Sequence, residues 1–190
     1  KVSNTGTLQW MRSMNWGGTG TAQSVQQTAD GGFVSAGFEA SPGTGSTDIT
    51  VLKTNAQGDT LWTRRLGGTG FDEAESIKQT SDGGYLIAGN SSNFPGGGRE
   101  FYLIKLDSSG NVMWSRAGGG VGNDFIEDLV ETGSGFVLLG NSMSYGAGSW
   151  EVVVMGTDAG GNLLWQNSVG TTSSDYPRQI IATADGSYAI

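Results

Sequence analysis

A chain of 190 residues has room for one or two domains, and its 34 glycines far exceed the roughly 7% of an average protein. Its formal net charge of −8 argues against nucleic acid and anionic membrane surfaces as partners, because both select basic patches. The lack of any cysteine or histidine excludes disulfides, thiolate nucleophiles, imidazole bases and zinc sites built on those ligands, although it does not fix a compartment.

Many glycines between short apolar runs, with only three prolines, point to an all-β chain full of tight turns. The first expected element is a strand at Thr7 to Arg12, the tail of a partial repeat over residues 1–20. Complete repeats follow at about 21–70, 71–122 and 123–170, and a second partial repeat covers 171–190. Two independent anchors share the period. Trp10, Trp62, Trp114 and Trp165 are spaced by 52, 52 and 51 residues, and Phe33, Tyr85, Phe136 and Tyr188 by 52, 51 and 52.

The second repeat shows the unit most clearly. Its strand A is expected over Ala74–Thr80, followed by the turn Ser81-Asp82-Gly83-Gly84 and strand B at Tyr85–Gly89. A long loop, Asn90 to Arg99, leads to strand C at Phe101–Leu106. The turn Asp107-Ser108-Ser109-Gly110 opens strand D at Asn111–Arg116. Asp-Gly and Ser-Gly pairs supply the positive φ that hairpins need, so adjacent runs should pair antiparallel. Strands B and C are almost continuously apolar, as strands covered on both faces must be. Small sheets stacked around an axis produce that pattern, so the expected architecture is a β-propeller of four-stranded blades. About 17 residues of the last repeat are lacking by comparison with its neighbours. An open blade edge is costly, so a longer array, self-association or another chain segment is expected to complete the ring. No signal peptide or 18-residue apolar run occurs, and a targeting signal would lie outside the sequence.

The segments ending in Trp62, Trp114 and Trp165 share the pattern Asp/Asn-x-x-Gly-x-x-x-Trp, and the first unit departs from it with Ser3 where Asp or Asn is expected. The pattern resembles the tryptophan-docking motif of quinoprotein-type propellers, which implies a Trp packed between neighbouring blades. Together with Gly-Gly-Thr-Gly and Thr-x-Asp-Gly-Gly-Tyr, the unit is also similar to repeats of large secreted surface proteins of Bacteroidota and some other bacteria and archaea. That resemblance implies an extracellular or cell-surface location. The quinoprotein resemblance raises a quinone dehydrogenase with bound calcium, but the vicinal cysteine pair that many members use is missing.

Carboxylates cluster at Asp72, Glu73 and Glu75, at Asp124, Glu127 and Asp128, and at Asp175. A pair set at a glycosidase spacing would allow hydrolysis. Their recurrence at matched positions instead favours a structural task, such as bonding turn amides. Asp72 and Asp124 with backbone carbonyls are also the candidate calcium ligands, against the simpler reading of Asp107 as an Asx-turn; no other cofactor is expected. The Gly-Gly-Thr-Gly segments at Gly17 and Gly67 precede no helix and so are not phosphate loops.

Trp10, Trp62, Trp114 and Trp165 repeat and are assigned to docking. Trp16, Phe94, Tyr145, Trp150 and Tyr176 do not repeat, and recognition in repeat proteins concentrates at such positions. The B–C loops, Glu39 to Thr47, Asn90 to Arg99 and Asn141 to Ser149, differ widely, whereas the A–B and C–D turns are uniform. The face carrying the B–C loops and D–A crossovers is therefore the expected binding face. Its candidate ligand residues are Phe94, Arg99, Glu100, Tyr145, Trp150, Asp72 and Asp124. The expected function is non-catalytic binding or adhesion to a protein or glycan, with a structural spacer or filament subunit and a secreted enzyme as alternatives.

Overall fold

In a computed structural model the described residues are 1–13, 19–40, 46–146 and 150–190. Trp16, Gly17 and parts of the first and third B–C loops fall outside them. The described residues contain no helix, hence none long and apolar enough to cross a membrane.

Three four-stranded antiparallel sheets follow one another in strand order. The first blade is β1 (Gly20–Gln27), β2 (Phe33–Ala40), β3 (Thr47–Thr54) and β4 (Thr60–Leu66). The second is β5 (Asp72–Gln79), β6 (Tyr85–Ser91), β7 (Glu100–Leu106) and β8 (Val112–Gly118). The third is β9 (Asp124–Glu131), β10 (Gly135–Ser142), β11 (Glu151–Asp158) and β12 (Leu163–Val169). A short hairpin, β13 (Ile181–Ala182) and β14 (Tyr188–Ala189), follows. The chain is thus all-β, built of propeller-like blades that form a partial ring. Gly31, Gly58, Gly83 and Gly110 take positive φ at the A–B and C–D turns, where a side chain would be strained.

The strand expected at Thr7 to Arg12 is not formed, and in the last repeat the first strand is reduced to Ile181–Ala182. Thr7 to Arg12 holds only a single bridge, Val2 to Leu8, and the segment before Ile181 is irregular. Strand propensity alone does not make a strand without a ladder partner.

The first and third blades each pack a face on the second. Val34, Ala36, Ile49 and Val51 meet Ala74, Ile77, Tyr85, Ile87, Ile104 and Leu106. On the other side Leu86, Ala88, Phe101 and Leu103 meet Ile126, Leu129, Phe136, Leu138, Val153 and Met155. All of β6 is consequently buried; β10 is buried as well, because Ile180 of the last repeat packs on its far face at Val137 and Leu139, while β8 and β12 remain largely exposed. The A strands β1, β5 and β9 approach one another and the D strands splay apart, giving the wedge of a propeller.

The tryptophans join the wedges. Trp10, Trp62 and Trp114 each lie over the C–D turn glycine of the following blade, Gly58, Gly110 and Gly161, so closely that a Cβ there would strike the indole. Each is reinforced by an arginine two residues on. The Arg64 guanidinium stacks 5.2 Å from the Trp62 ring and donates to the carbonyls of Gly110 at 2.7 Å and Ser109 at 2.6 Å. Arg12 reaches Asp59 at 3.2 Å, and Arg116 reaches Asn162 at 3.3 Å.

The inner edges are joined by polar side chains. Ile77 N–H donates to Ser24 Oγ at 3.2 Å and Gln79 N–H to Gln26 Oε1 at 2.6 Å. In the opposite direction Ala29 N–H donates to Gln79 Oε1 at 2.8 Å, and Ser81 N–H to Glu131 at 2.9 Å. Amides on the strand edge, at Ile77 and Gln79, and in the A–B turns, at Ala29 and Ser81, are thereby satisfied by the adjacent blade.

Candidate functional site

The D–A crossovers enter strand A through a recurrent carboxylate clasp. Gly68 N–H donates to Asp72 Oδ2 at 2.8 Å, Gly120 N–H to Asp124 Oδ2 at 2.9 Å and Thr171 N–H to Asp175 Oδ2 at 2.7 Å. Each aspartate therefore caps the amide four residues before it, a local side-chain-to-backbone turn. Asp124 also accepts from the hydroxyls of Ser142 and Ser144, and Asp72 from the amide of Asn93. Asp72 is 1% and Asp124 0% exposed, so both carboxylates are committed to shaping loops. In the first blade Gly20 takes the matching position, and Glu39, matching Ser91 and Ser142, packs over it. Asp107 likewise bonds the amides of Ser109 at 2.9 Å and Asn111 at 2.8 Å in an Asx-turn.

Beside these constant aspartates runs a variable arc. The residues at one step along strand A, or its irregular counterpart in the last repeat, are Glu73, Phe125 and Tyr176; those at the start of strand C or just before it are Thr47, Arg99 and Trp150. They interleave. Thr47 Oγ1 donates to Glu73 at 3.3 Å, Arg99 pairs with Glu73, and the Arg99 guanidinium lies 5.8 Å from the Phe125 ring centre. Phe125 then meets Trp150 at 5.4 Å, and Trp150 meets Tyr176 at 6.2 Å. The carbonyls of Arg99 and Trp150 accept from the amides of Asp124 at 2.7 Å and Asp175 at 2.8 Å, which fixes the arc to the next blade. One end is polar and the other aromatic.

A second group surrounds Glu100. Phe94, Pro95, Glu100, Ala117, Gly118, Gly119 and Gly120 line a cleft of about 270 Å³. Phe94 leans on Tyr102 at 5.2 Å, and the Tyr145 hydroxyl donates to Gly119 O at 2.9 Å across the joint. Glu100 is 4% exposed, and its Oε1 has no hydrogen-bond partner. Burial, aided by nearby Asp124, pushes its carboxyl above the usual range.

The inner strands carry β-bulges at Gln23, Glu75 and Glu127, which drop these residues out of the ladder. Gln23 Nε2 donates to Glu75 at 3.0 Å, and Arg178 approaches Glu127 at 3.7 Å. Burial, then Glu127 and Glu73, raise the Glu75 carboxyl from 4.5 to about 7. The folded protein thus binds this proton more readily than the unfolded chain does. Its contribution is complete below pH 4.5 and is lost as pH rises through about 7. Glu75→Gln, which keeps an acceptor for Gln23, is expected to raise Tm at pH 8 and leave it unchanged at pH 4. Equal shifts at both pH values in thermal unfolding would contradict this environment.

Of the residues chosen from sequence, the fold brings Arg99 and Trp150 together through Phe125, and sets Phe94 and Glu100 on one cleft, with Tyr145 outside it and bonded to the carbonyl of its wall residue Gly119. Asp72 and Asp124 stay apart, each inside its own crossover. Phe125 was not among the candidates, and Glu73 was named only in the carboxylate cluster, not as a ligand residue; their signal was a change of chemistry at one matched strand position.

No family model matches the chain. It is similar to the regulatory protein FlaEY of Caulobacter vibrioides, at 28% identity over 73% of this chain. The aligned part is 17% of that protein, so the chain spans about a sixth of its relative's length.

Proposed function

We propose that this chain is a non-catalytic binding module of an extracellular or cell-surface protein, related to the tryptophan-docking and surface-protein repeats it resembles. It engages a protein or glycan ligand on the face of the B–C loops and D–A crossovers. The observation that carries this reading is the arc Thr47–Glu73–Arg99–Phe125–Trp150–Tyr176. The clasp aspartates beside it are constant, yet the arc changes from polar to aromatic from blade to blade. Positions that only hold blades together, such as Trp62 and Trp114, repeat; the arc is free to vary. The half-buried rings of Phe125 and Trp150 and the exposed ring of Tyr176, with an arginine beside them, offer both a stacking platform and a polar anchor. A relative named for regulation accords with a module that acts by binding.

Glycan and peptide arrays test the reading. Trp150→Ala is expected to lower the signal at least tenfold, while Trp165→Ala, outside the arc, leaves it intact. A wild-type chain that binds nothing, or an unchanged Trp150→Ala signal, favours a structural spacer.

A further inference from the structure

The first two blades solve the same electrostatic problem in different ways. At the joint after the first blade, Asp48 approaches Asp72 across Gly67, and Arg65 neutralises it with Nε 3.0 Å from Asp48 Oδ2. One repeat later Glu100 takes the place of Asp48, Asp124 that of Asp72 and Gly119 that of Gly67. A Cβ on Gly119 would likewise meet both carboxylates, so the geometry is conserved between the joints. The position of Arg65, however, is filled by Ala117. The guanidinium is gone, and in its place lies the cleft walled by Phe94, Pro95, Ala117 and Gly118 to Gly120. Glu100 remains buried with one oxygen unsatisfied.

A buried carboxylate without a partner is unfavourable, and a cation that enters the cleft relieves it. We propose that this cleft receives an arginine side chain from a partner protein, its guanidinium pairing with Glu100 as Arg65 pairs with Asp48. This rests on the reading that the face binds a partner, and it names the side chain that the partner brings. Phe94 and Pro95 provide apolar surface for the arginine stem, and the ring face of Phe94 suits a guanidinium. Calcium fits less well. It takes six to eight oxygens, whereas Asp124 is already occupied by the Gly120 amide and two serine hydroxyls. Among the described residues no three acidic groups are gathered for a metal.

The test is an NMR titration of the 190-residue chain, following the amides of Gly118, Gly119 and Gly120, with Nα-acetyl-arginine amide as probe. The citrulline analogue and calcium chloride are run in parallel. Saturable shifts with arginine and none with citrulline are expected. Glu100→Gln should weaken binding at least tenfold. Ala117→Arg should abolish it and raise Tm, because the chain then supplies its own guanidinium. Shifts with calcium but not arginine, undiminished binding by Glu100→Gln, or retained binding by Ala117→Arg would overturn the proposal. Trp150→Ala should leave this titration unaltered, so failure of the arc shows on the arrays and failure of the cleft shows here.

Discussion

Asp82→Ala is expected to destabilise the chain by about 2 to 3 kcal/mol, and the double replacement Asp82→Ala with Lys105→Met by clearly less. Lys105 Nζ is enclosed by the second blade and bonds Asp82 at 2.9 Å and the Leu106 carbonyl at 3.2 Å. Its side chain is 5% exposed, while that of Asp82 is 55% exposed. Solvent weakens the pair from the aspartate side, which keeps the figure below that of a fully buried pair. Loss of the aspartate strands an enclosed ammonium; loss of both leaves an apolar stem. The molecule contains its own version of the double change. In the third blade Gly133 and Gly156 stand where Asp82 and Lys105 stand, and the Trp165 indole lies against Gly156 where a side chain would begin. Acid should act in the same sense. Thr80, then Lys105 and the Gly84 amide, hold the Asp82 carboxyl at about 2, below its ordinary 3.8. Its stabilisation is complete above pH 3.8 and is lost as pH falls through about 2. Urea unfolding of both variants checks the coupling, and a double mutant no more stable than Asp82→Ala would refute it.

Trp62→Ala should cost about 3 kcal/mol, whereas Trp165→Ala should cost about 1 kcal/mol or less. The two residues share a repeat position but not an environment. Trp62 is wedged between Tyr85, at 5.6 Å and nearly edge-on, and the turn at Gly110, with Arg64 stacked over it. Removing the ring therefore empties a joint and frees the arginine that holds the next turn. Trp165 is 40% exposed and meets chiefly its own blade at Gly156. Parallel denaturant curves decide the matter, and equal losses would mean that the indole serves its own sheet rather than the joint.

The blades were legible because their signals are local and repeated. Asp-Gly and Ser-Gly pairs mark turns that demand positive φ, and the unbroken apolar runs of β6 and β10 announce strands covered on both sides. The bulges at Gln23, Glu75 and Glu127 were not legible, since one residue slipping out of a ladder leaves no trace in composition. Nor was the arginine two places after Trp10, Trp62 and Trp114, which reads as an ordinary polar residue on an outer strand. Candidate site residues divide by the same logic. Arg99 drew notice as a polar group on the face of the variable B–C loops, and Trp150 by breaking the repeat. Glu73 and Phe125 broke it too, but inside a strand where pattern alone assigns a packing role. Asp72 and Asp124 looked like ligand groups by chemistry, and their recurrence was the better guide to their work on the crossovers.

The reciprocal bonds along the inner edges have a consequence for how such a chain changes length. Ser24, Gln26, Gln79 and Glu131 each satisfy an amide that belongs to a neighbour, so every joint is written half in one unit and half in the next. Gain or loss of a whole unit keeps the turn bonds accepted by Gln79 and Glu131 in register, whereas an exchange inside a unit separates those donors from their acceptors. Growth in steps of one period thus preserves the constant half of each seam, while the rest depends on which units meet, since Lys78 stands where Gln26 accepts and Ala117 where Arg65 pairs.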